Sequence, residues 1–313
     1  MNLLITGAWK HAKENIPNLV EMGHDVVFLQ NESDALPCDP AWVEGVVGNG
    51  IFLSHPIKNF TNLRYIQLTS AGYDRVPMDY IKEHKIQIHN ARGVYSVPMA
   101  EFAVAGVLAL YKKLAGFLES QRDHEWRKQR DLMELSGQTV LILGFGSVGR
   151  ECAKRFKAFG TKILAVDIRK PKGEFDVYYP VEELAKALPC ADIIILTLPL
   201  TEKTKGMLCT TTFFGCKRGA VLVNIARGAL VCEDDLVEAL RAKVLSGAVL
   251  DVFDEEPLPK ESSLWQMDQV LISPHNSFVS PQNAARLFQV ITGNLTEYCN
   301  RGISLKQISD TPP

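Results

Sequence analysis

Short apolar runs alternate with amphipathic helical patterns along most of the chain, and polar, turn-rich segments separate them. Four of these runs in the first hundred residues predict strands, at residues 3–6, 26–29, 65–69 and 86–88. Six more follow in the second half, at residues 140–143, 163–166, 193–197, 220–224, 248–251 and 270–272. Strands that alternate with helices are typical of parallel α/β architecture, and six strands suit one doubly wound sheet. The pattern therefore predicts an α/β protein.

Two helices mark the predicted domain limits. Residues 98–118 read as one long helix that is apolar nearly all round its middle, so it must be buried on several sides, at a domain junction or a subunit interface. A last helix starts at Ser280 and Pro281, and we expect it to return to the first domain. Because 313 residues are too many for one ordinary core, we predict two domains. The first comprises residues 1–97 and is completed by residues 280–313, and the second comprises residues 98–279.

Composition and charge exclude several classes of protein. The formal net charge is -2 with scattered basic residues, so there is no electrostatic footprint for nucleic acid. The seven cysteines form no CxxC pair, which argues against a disulfide framework and a metal cluster and favours a reducing compartment. The chain starts without the basic segment of a signal peptide, and no apolar run reaches the roughly 18 residues of a membrane span. We therefore expect a cytoplasmic protein with no membrane partner.

A glycine pattern follows the predicted strand 140–143. Gly144, Gly146 and Gly149 have the spacing G-x-G-x-x-G and open a helical pattern that ends near Gly160. In such a unit the first glycine permits a tight turn, the second lets the backbone approach a pyrophosphate, and the third lets the helix pack closely on the strand. The free N–H groups at the helix N-terminus face the phosphates. This combination predicts a dinucleotide-binding unit.

Asp167 ends the next predicted strand, 23 residues after Gly144. A carboxylate there can accept hydrogen bonds from a ribose diol, and it repels a ribose 2′-phosphate. The residue therefore favours NAD over NADP. Arg169, two residues later, offsets part of that repulsion and leaves some use of NADP open.

Three later strands are followed by residues that can do chemistry, at the edge where an open α/β sheet binds its ligands. Arg227 follows the strand 220–224, and its guanidinium either forks onto a carboxylate or ties down the loop. Asp251 ends the strand 248–251, and Glu256 precedes a proline that fixes its backbone. His275 follows the strand 270–272 and can exchange a proton near neutral pH. A contact between Glu256 and one ring nitrogen would orient this histidine as an acid–base catalyst.

The ordered set GFGSVG, Asp167, NIARGALV, LDVFDEEPLP and SPH resembles the motifs of the D-isomer-specific 2-hydroxyacid dehydrogenase family. Residues 68–74 resemble the substrate loop of that family, and residues 90–101 resemble the hinge into its interface helix. The resemblance implies two doubly wound parallel-sheet domains, with a Rossmann-type NAD domain inserted into a flavodoxin-like substrate domain. It also implies a homodimer that pairs through the 98–118 helix.

The resemblance implies catalytic and substrate-binding roles for five residues. Arg227 would bind the substrate carboxylate and polarise the 2-oxo group, and backbone N–H groups near Ala71 and Gly72 would hold the other carboxylate oxygen. His275 would protonate the carbonyl oxygen as hydride arrives, and Glu256 would orient it. No metal is expected to take part.

The implied cofactor-binding residues lie around the glycine pattern and in the loops after the later strands. They are Gly144, Gly146, Ser147, Val148, Gly149, Asp167, Ile168, Leu198, Pro199, Thr204, Ile225, Ala226, Arg227, Asp251, His275 and Ser277.

The favoured function is an NAD-dependent oxidoreductase that interconverts a small 2-oxo acid and its D-2-hydroxy acid, of the glyoxylate or hydroxypyruvate type. One alternative is oxidation of 3-phosphoglycerate, which needs cations around a phosphate, with Lys58 and Arg64 as candidates. Another is a non-catalytic NAD(H)-sensing regulatory scaffold. An intact Arg227, Glu256 and His275 set weighs against the scaffold.

Three positions depart from the family pattern. Phe278 is bulky where a small or glycine-containing run is usual after the histidine, which changes the shape of the substrate pocket. Arg92 and Tyr95 replace smaller residues in the hinge. Either side chain reaches the distal end of the substrate or merely lines the loop, and the sequence leaves both interpretations open.

Overall fold

The computed structural model describes residues 1–300, and the chain divides into two compact units. The first unit comprises Met1–Tyr95 together with the chain from Ser280 onward, and the second unit comprises Ser96–Val279. The first division falls two residues before the limit at 97/98 that the sequence predicts, and the second falls at 279/280. No helix within residues 1–300 has the length and apolarity needed to cross a membrane.

The first unit contains one five-stranded parallel sheet. Its strands are β1 (Asn2–Thr6), β2 (Asp25–Leu29), β3 (Gly45–Gly48), β4 (Tyr65–Leu68) and β5 (Gln87–His89). They lie in the order β2-β1-β3-β4-β5, which is the flavodoxin-like order. Four of the five strands match predicted runs. The sequence analysis missed β3, whose four residues GVVG begin and end with glycine, a residue depleted in strands.

Four α-helices of the described residues 1–300 cover this sheet. They are α1 (Ala12–Glu21), α2 (Ile51–Ser54), α3 (Met78–Glu83) and α10 (Asn283–Asn300). The C-terminal helix α10 buries Leu287, Ile291 and Leu295 in one apolar cluster with strand residues such as Leu3 and Ile5. Its apolar stripe, at helical spacing, therefore packs on one face of the first sheet.

The second unit contains a seven-stranded parallel sheet. Its strands are β6 (Thr139–Leu143), β7 (Lys162–Asp167), β8 (Val177–Pro180), β9 (Ile193–Leu196), β10 (Ala220–Asn224), β11 (Leu245–Leu250) and β12 (Val270–Ile272). The order β12-β11-β10-β9-β6-β7-β8 is the Rossmann order with one strand added. The strand order reverses between β6 and β9, which is where such sheets bind ligands. The fold prediction of two parallel α/β sheets is confirmed.

The helices of the second unit are α4 (Ser96–Tyr111), α5 (Leu114–Arg122), α6 (Ser147–Ala158), α7 (Leu184–Ala187), α8 (Thr210–Phe214) and α9 (Glu233–Arg241). The prediction of one helix over residues 98–118 is wrong. The chain ends α4 at Tyr111 and starts α5 at Leu114, because Lys113 adopts a left-handed conformation with a φ of 50°. The Lys112 ammonium donates to the carbonyl of Met133 at 2.6 Å, and Lys113 pairs with Asp131, so contacts with a later segment replace helical continuity.

Candidate active site

The glycine pattern forms the turn between β6 and α6. Gly144 has a φ of 89°, and a Cβ there would lie 2.7 Å from the Cα of Leu198 in the loop after β9. A Cβ on Gly149 would lie 2.3 Å from the carbonyl oxygen of Gly144. Both positions therefore require glycine, the first for its turn and the second because helix and strand approach closely.

The N-terminus of α6 is open. A Cβ on Gly146 would meet no atom within 4 Å, and no side chain caps the helix. Within residues 1–300, the N–H groups of Ser147 and Val148 donate to no acceptor. Free N–H groups at the positive end of a helix dipole are the donors that bind a phosphate. This turn therefore fits the pyrophosphate of a dinucleotide.

Asp167, the last residue of β7, is held in place by backbone donors. One carboxylate oxygen accepts the N–H of Phe145 at 2.9 Å, and the other accepts the N–H of Ile168 at 2.7 Å. Each carboxylate oxygen has a second lone pair, which can accept from a ribose hydroxyl. The N–H of Ile168 is committed to this contact.

Thr204 shapes the loop after β9. Its hydroxyl donates to the carbonyl of Pro199 at 2.8 Å and accepts the N–H of Thr201 at 2.8 Å. The loop that contains Leu198 is thereby fixed beside the turn at Gly144. A direct contact of Leu198, Pro199 or Thr204 with the cofactor stays a prediction.

Asn224, the last residue of β10, fixes the loop that carries Arg227. Its side-chain oxygen accepts the N–H of Ala226 at 3.1 Å, and its side-chain nitrogen donates to the carbonyl of Arg227 at 2.9 Å. Gly228 follows, and a Cβ there would lie 1.8 Å from the carbonyl carbon of Phe253. The arginine loop therefore lies against the backbone of the loop that carries Glu256, with Ile225 and Ala226 buried beneath it.

His275 and Glu256 form the contact on which the predicted acid–base pair depends. Nδ1 of His275 lies 2.8 Å from Oε2 of Glu256, and Oε1 of Glu256 accepts the N–H of Phe253 at 3.1 Å. The two side chains are 43% and 37% exposed, so a substrate can reach the imidazole. The Phe278 ring meets the His275 ring edge-on, with the ring centroids 5.9 Å apart.

Asp251, directly after β11, is completely buried beneath the histidine. Its carboxylate accepts hydrogen bonds from the Ser273 hydroxyl, from the N–H of Asn276 at 2.7 Å and from the N–H of Ser277 at 2.9 Å. The carbonyl of Asp251 also accepts the N–H of His275 at 2.8 Å. His275 has a φ of 53°, a left-handed conformation that a histidine adopts at an energetic cost. Asp251 thus stabilises the strained loop that presents the histidine.

The three loops meet at one edge of the sheet because Asn224, Leu250 and Ile272 lie side by side in register. A guanidinium can bind a carboxylate there, and an oriented imidazole can transfer a proton beside it. Both groups follow strands of the sheet that carries the open helix N-terminus, and β11, whose loop carries Glu256, lies between their two strands. The arrangement suits proton-coupled chemistry on a carboxylic acid that binds with a dinucleotide.

Comparison with known proteins agrees with this geometry. Residues 104–277 match the family model described as D-isomer specific 2-hydroxyacid dehydrogenase, NAD binding domain, over more than half of the chain. The chain belongs to this family. The dehydrogenase is thus an oxidoreductase with an NAD-binding Rossmann domain, and the predictions of family and cofactor class are confirmed.

Individual relatives extend the similarity beyond that domain. A glyoxylate reductase of Korarchaeum cryptofilum is 31% identical over 242 residues, which cover 75% of this chain and 73% of the relative. An (S)-sulfolactate dehydrogenase of Chromohalobacter salexigens is 31% identical over 245 residues, which cover 76% of this chain and 78% of the relative. A D-isomer specific 2-hydroxyacid dehydrogenase family protein of Aeromonas salmonicida has a crystal structure with 30% identity and a TM-score of 0.82, covering 96% of each chain.

The other predicted substrate-binding residues of the dehydrogenase, Ala71 and Gly72, belong to the first unit and follow β4. The carbonyl of Ala71 accepts from the side chain of Asn90 at 2.6 Å, and the carbonyl of Gly72 accepts from the Ser70 hydroxyl at 3.1 Å. Within residues 1–300, the backbone N–H groups of Ala71 and Gly72 donate to no acceptor. These groups are therefore available to a ligand.

The sequence analysis missed two positioning residues, Asn224 and Ser273. Both are polar residues at the carboxyl end of an apolar strand, directly before a loop with a candidate catalytic residue. That position is the signal that could have identified them. The Asn224 side chain bonds the backbone of the arginine loop, and the Ser273 hydroxyl donates to the buried carboxylate of Asp251.

Proposed function

We propose that this dehydrogenase reduces a small 2-oxo acid, of the glyoxylate or hydroxypyruvate type, to its D-2-hydroxy acid with NADH. The observation that carries the proposal is the 2.8 Å contact between His275 and Glu256, which follow β12 and β11, and β11 lies directly beside β10, the strand before Arg227. Reduction of a 2-oxo acid requires a group that binds the carboxylate and a group that donates a proton. The guanidinium and the oriented imidazole at this edge of the sheet are suited to these two tasks.

Arg227 binds the substrate carboxylate through its planar fork of N–H donors and draws electron density from the adjacent carbonyl. His275 donates a proton from Nε2 to the carbonyl oxygen, since its Nδ1 is engaged by Glu256. In the reverse direction the same nitrogen accepts the hydroxyl proton. The bound nicotinamide cofactor supplies the hydride for the carbonyl carbon, and the N–H groups of Ala71 and Gly72 hold the carboxylate oxygen that Arg227 leaves.

The cofactor preference belongs to Asp167. Its carboxylate is fixed by two backbone N–H groups and cannot turn away from a ribose 2′-phosphate without losing them. Like charges at short distance repel, so NADH is favoured over NADPH. Arg169 is exposed and offsets part of this repulsion.

The experiment is NADH oxidation with a panel of 2-oxo acids that includes glyoxylate, hydroxypyruvate and pyruvate, repeated with NADPH. We expect turnover of at least one 2-oxo acid, a D-configured product where the product is chiral, and a higher kcat/KM with NADH. Tight binding of NADH without turnover of any 2-oxo acid would contradict the proposal and favour the NAD(H)-sensing scaffold.

The alternative of 3-phosphoglycerate oxidation is not supported by the positions of its two candidate cations. Arg64 directly precedes β4, at the amino edge of the first sheet, and pairs with Glu44. Ligands of such sheets bind at the opposite, carboxyl edge. Lys58 also precedes β4, in the segment between α2 and that strand, so neither cation follows a strand end.

We also propose a homodimer, as the resemblance implies, but with α5 rather than α4 as the contact, and a cytoplasmic location, which the cysteine pattern favours. The middle of α4 is buried in the second unit, with Ala100, Ala103 and Val107 inaccessible. By contrast Leu114 and Leu118 on α5 are 47% and 55% exposed, and Trp126 is 94% exposed. Large apolar side chains grouped in one segment of the surface are typical of a subunit interface.

A further inference from the structure

The loops after β4 and β5 form one joined structure at the carboxyl edge of the first sheet. The two strands are neighbours and parallel, so both loops leave the same edge. The N–H of Ala91 donates to the carbonyl of Ser70 at 2.8 Å, and Asn90 donates to the carbonyl of Ala71 at 2.6 Å. The second loop is therefore fixed directly beside the two N–H groups that are available to a ligand.

Arg92 lies in the second of these loops and presents a charge that the protein does not use. Its backbone N–H donates to the side chain of Asn90 at 3.2 Å, which ties the residue to the joined structure. Its side chain is exposed, and within residues 1–300 it makes no ion pair. The two loops together, residues 69–76 and 90–95, contain two arginines and one aspartate.

Tyr73 places the guanidinium of Arg92 close to the first loop. Burial raises the pKa of the Tyr73 phenol, and the nearby positive charge of Arg92 opposes part of that rise. Tyr73 follows Gly72 directly. The Arg92 guanidinium is therefore within electrostatic range of the residue that follows Gly72.

Tyr95, the other unusual hinge residue, is committed to the protein. Its hydroxyl donates to the carbonyl of Thr69, which ties the end of the second loop to the start of the first. Of the two hinge residues that differ from the family pattern, the one with a free functional group is Arg92. A guanidinium that neither pairs with a carboxylate nor packs in a core is suited to bind an anion from solution.

We propose that Arg92 selects 2-oxo acids that carry a second anionic group on the carbon beyond the carbonyl. This inference rests on the proposed function and names its substrate class: dianions whose distal group is a carboxylate, a sulfonate or a phosphate. The two N–H groups of Ala71 and Gly72 bind the carboxylate next to the carbonyl, and Arg92 binds the distal anion. Small 2-oxo acids without a charged distal group remain substrates, with lower kcat/KM.

The test compares two four-carbon 2-oxo acids, oxaloacetate and 2-oxobutyrate, which differ in whether the distal group is charged. We expect the wild-type protein to prefer oxaloacetate. Arg92→Gln should lower kcat/KM for oxaloacetate by about 10- to 100-fold, the range of a charge-assisted hydrogen bond, and leave 2-oxobutyrate within about threefold. Arg92→Lys should retain part of the preference, because it keeps the charge but loses the fork.

Lys82→Gln is the matched control, since it removes one exposed positive charge from α3 of the same unit. This variant should leave kcat/KM unchanged for both oxaloacetate and 2-oxobutyrate. Phosphohydroxypyruvate and sulfopyruvate, measured in the same way, identify which distal anion is preferred. Equal losses for both four-carbon acids in Arg92→Gln, or a wild-type protein without preference, would overturn the proposal.

A binding measurement separates this inference from the proposed function. Calorimetry with D-malate and D-2-hydroxybutyrate, each in the presence of NAD, requires no turnover. If no 2-oxo acid is reduced, tighter binding of D-malate that Arg92→Gln abolishes still supports the anion site. Equal binding of the two hydroxy acids would refute the site whether or not the protein is an active reductase.

Discussion

At the residue scale, Asp251 explains how a histidine is held in a left-handed conformation at the edge of a sheet. Three donors from residues 273–277 converge on its buried carboxylate, and its carbonyl accepts the N–H of the histidine itself. Hydrogen bonds to a charged group contribute about 1.5–3 kcal/mol each. This set therefore offsets the cost of the backbone conformation and fixes the loop that carries the imidazole.

We predict that Asp251→Asn lowers kcat by tenfold or more while the Kd for NADH changes by less than about threefold. The amide presents N–H donors to a carboxylate site whose partners are themselves donors, so the loop loses bonds and His275 loses its position. Steady-state kinetics and NADH fluorescence titration measure the two effects, with the exposed Asp254→Asn as the control. A large rise in the Kd for NADH with unchanged kcat would instead show that Asp251 binds the cofactor.

The candidate catalytic residues could be predicted from the sequence because Arg227, Glu256 and His275 all follow strand ends of one parallel sheet. The residues that support them could not. Asn224 acts through hydrogen bonds to loop backbone and Ser273 through a hydrogen bond to the Asp251 carboxylate, and the partners of such bonds depend on loop conformation. Likewise the sequence left the roles of Arg92 and Tyr95 open. In the structure the Tyr95 hydroxyl donates to the carbonyl of Thr69, and this hydrogen bond distinguishes Tyr95 from the exposed Arg92.

At the element scale, most strands were predictable, and the two that were missed are short and atypical. The strand β3 begins and ends with glycine and lies between β1 and β4. Its pairing with these two strands, rather than its own composition, makes it a buried strand. The strand β8 ends in proline and lies at the sheet edge, where a missing N–H is tolerated. The break between α4 and α5 depends on contacts of Lys112 and Lys113 with residues 131–133. Helix propensity is a local property and does not reflect such contacts, so the sequence did not predict the break.

Contact between the arginine loop and the glutamate loop predicts that Gly228→Ala is severely destabilising. A Cβ at Gly228 would overlap the backbone at Phe253, and neither loop can move without losing its hydrogen bonds. Overpacking of this kind costs about 1–3 kcal/mol or more. Thermal denaturation should show a marked fall in Tm together with a loss of activity.

Gly293→Ala in α10 is the matched control, because a Cβ there would meet no atom within 4 Å. In a helix interior this change should stabilise the protein by about 0.5–1 kcal/mol. Similar Tm values for the two variants would contradict the close approach of the two loop backbones at Gly228.

At the scale of the whole molecule, the chain combines a flavodoxin-like sheet with a Rossmann-type sheet, and each unit presents candidate binding groups in loops at its carboxyl edge. The proposed homodimer adds a third surface, formed by α5 and the residues that follow it. The sequence indicated a buried apolar helix but could not distinguish burial within a unit from burial against a partner, because both need the same residues.

We predict that the protein sediments as a dimer at micromolar concentration and that Leu118→Arg shifts it toward monomer. Leu118 is 55% exposed on α5, and a charge buried without a partner at an interface is costly. Val20→Arg, at a similarly exposed apolar residue on α1, should leave the dimer intact. Monomeric wild-type protein, or equal effects of both substitutions, would contradict the proposed surface.

The central claim is that His275, oriented by Glu256, is the proton donor in reduction of a 2-oxo acid. The most direct measurement is the rate of NADH oxidation with the best 2-oxo acid of the panel, for the wild-type protein and for His275→Ala, with the exposed His124→Ala as control. We predict a fall in kcat of about a hundredfold or more for His275→Ala, with NADH affinity maintained, and no change in kcat for His124→Ala. Retention of wild-type kcat by His275→Ala would contradict the central claim.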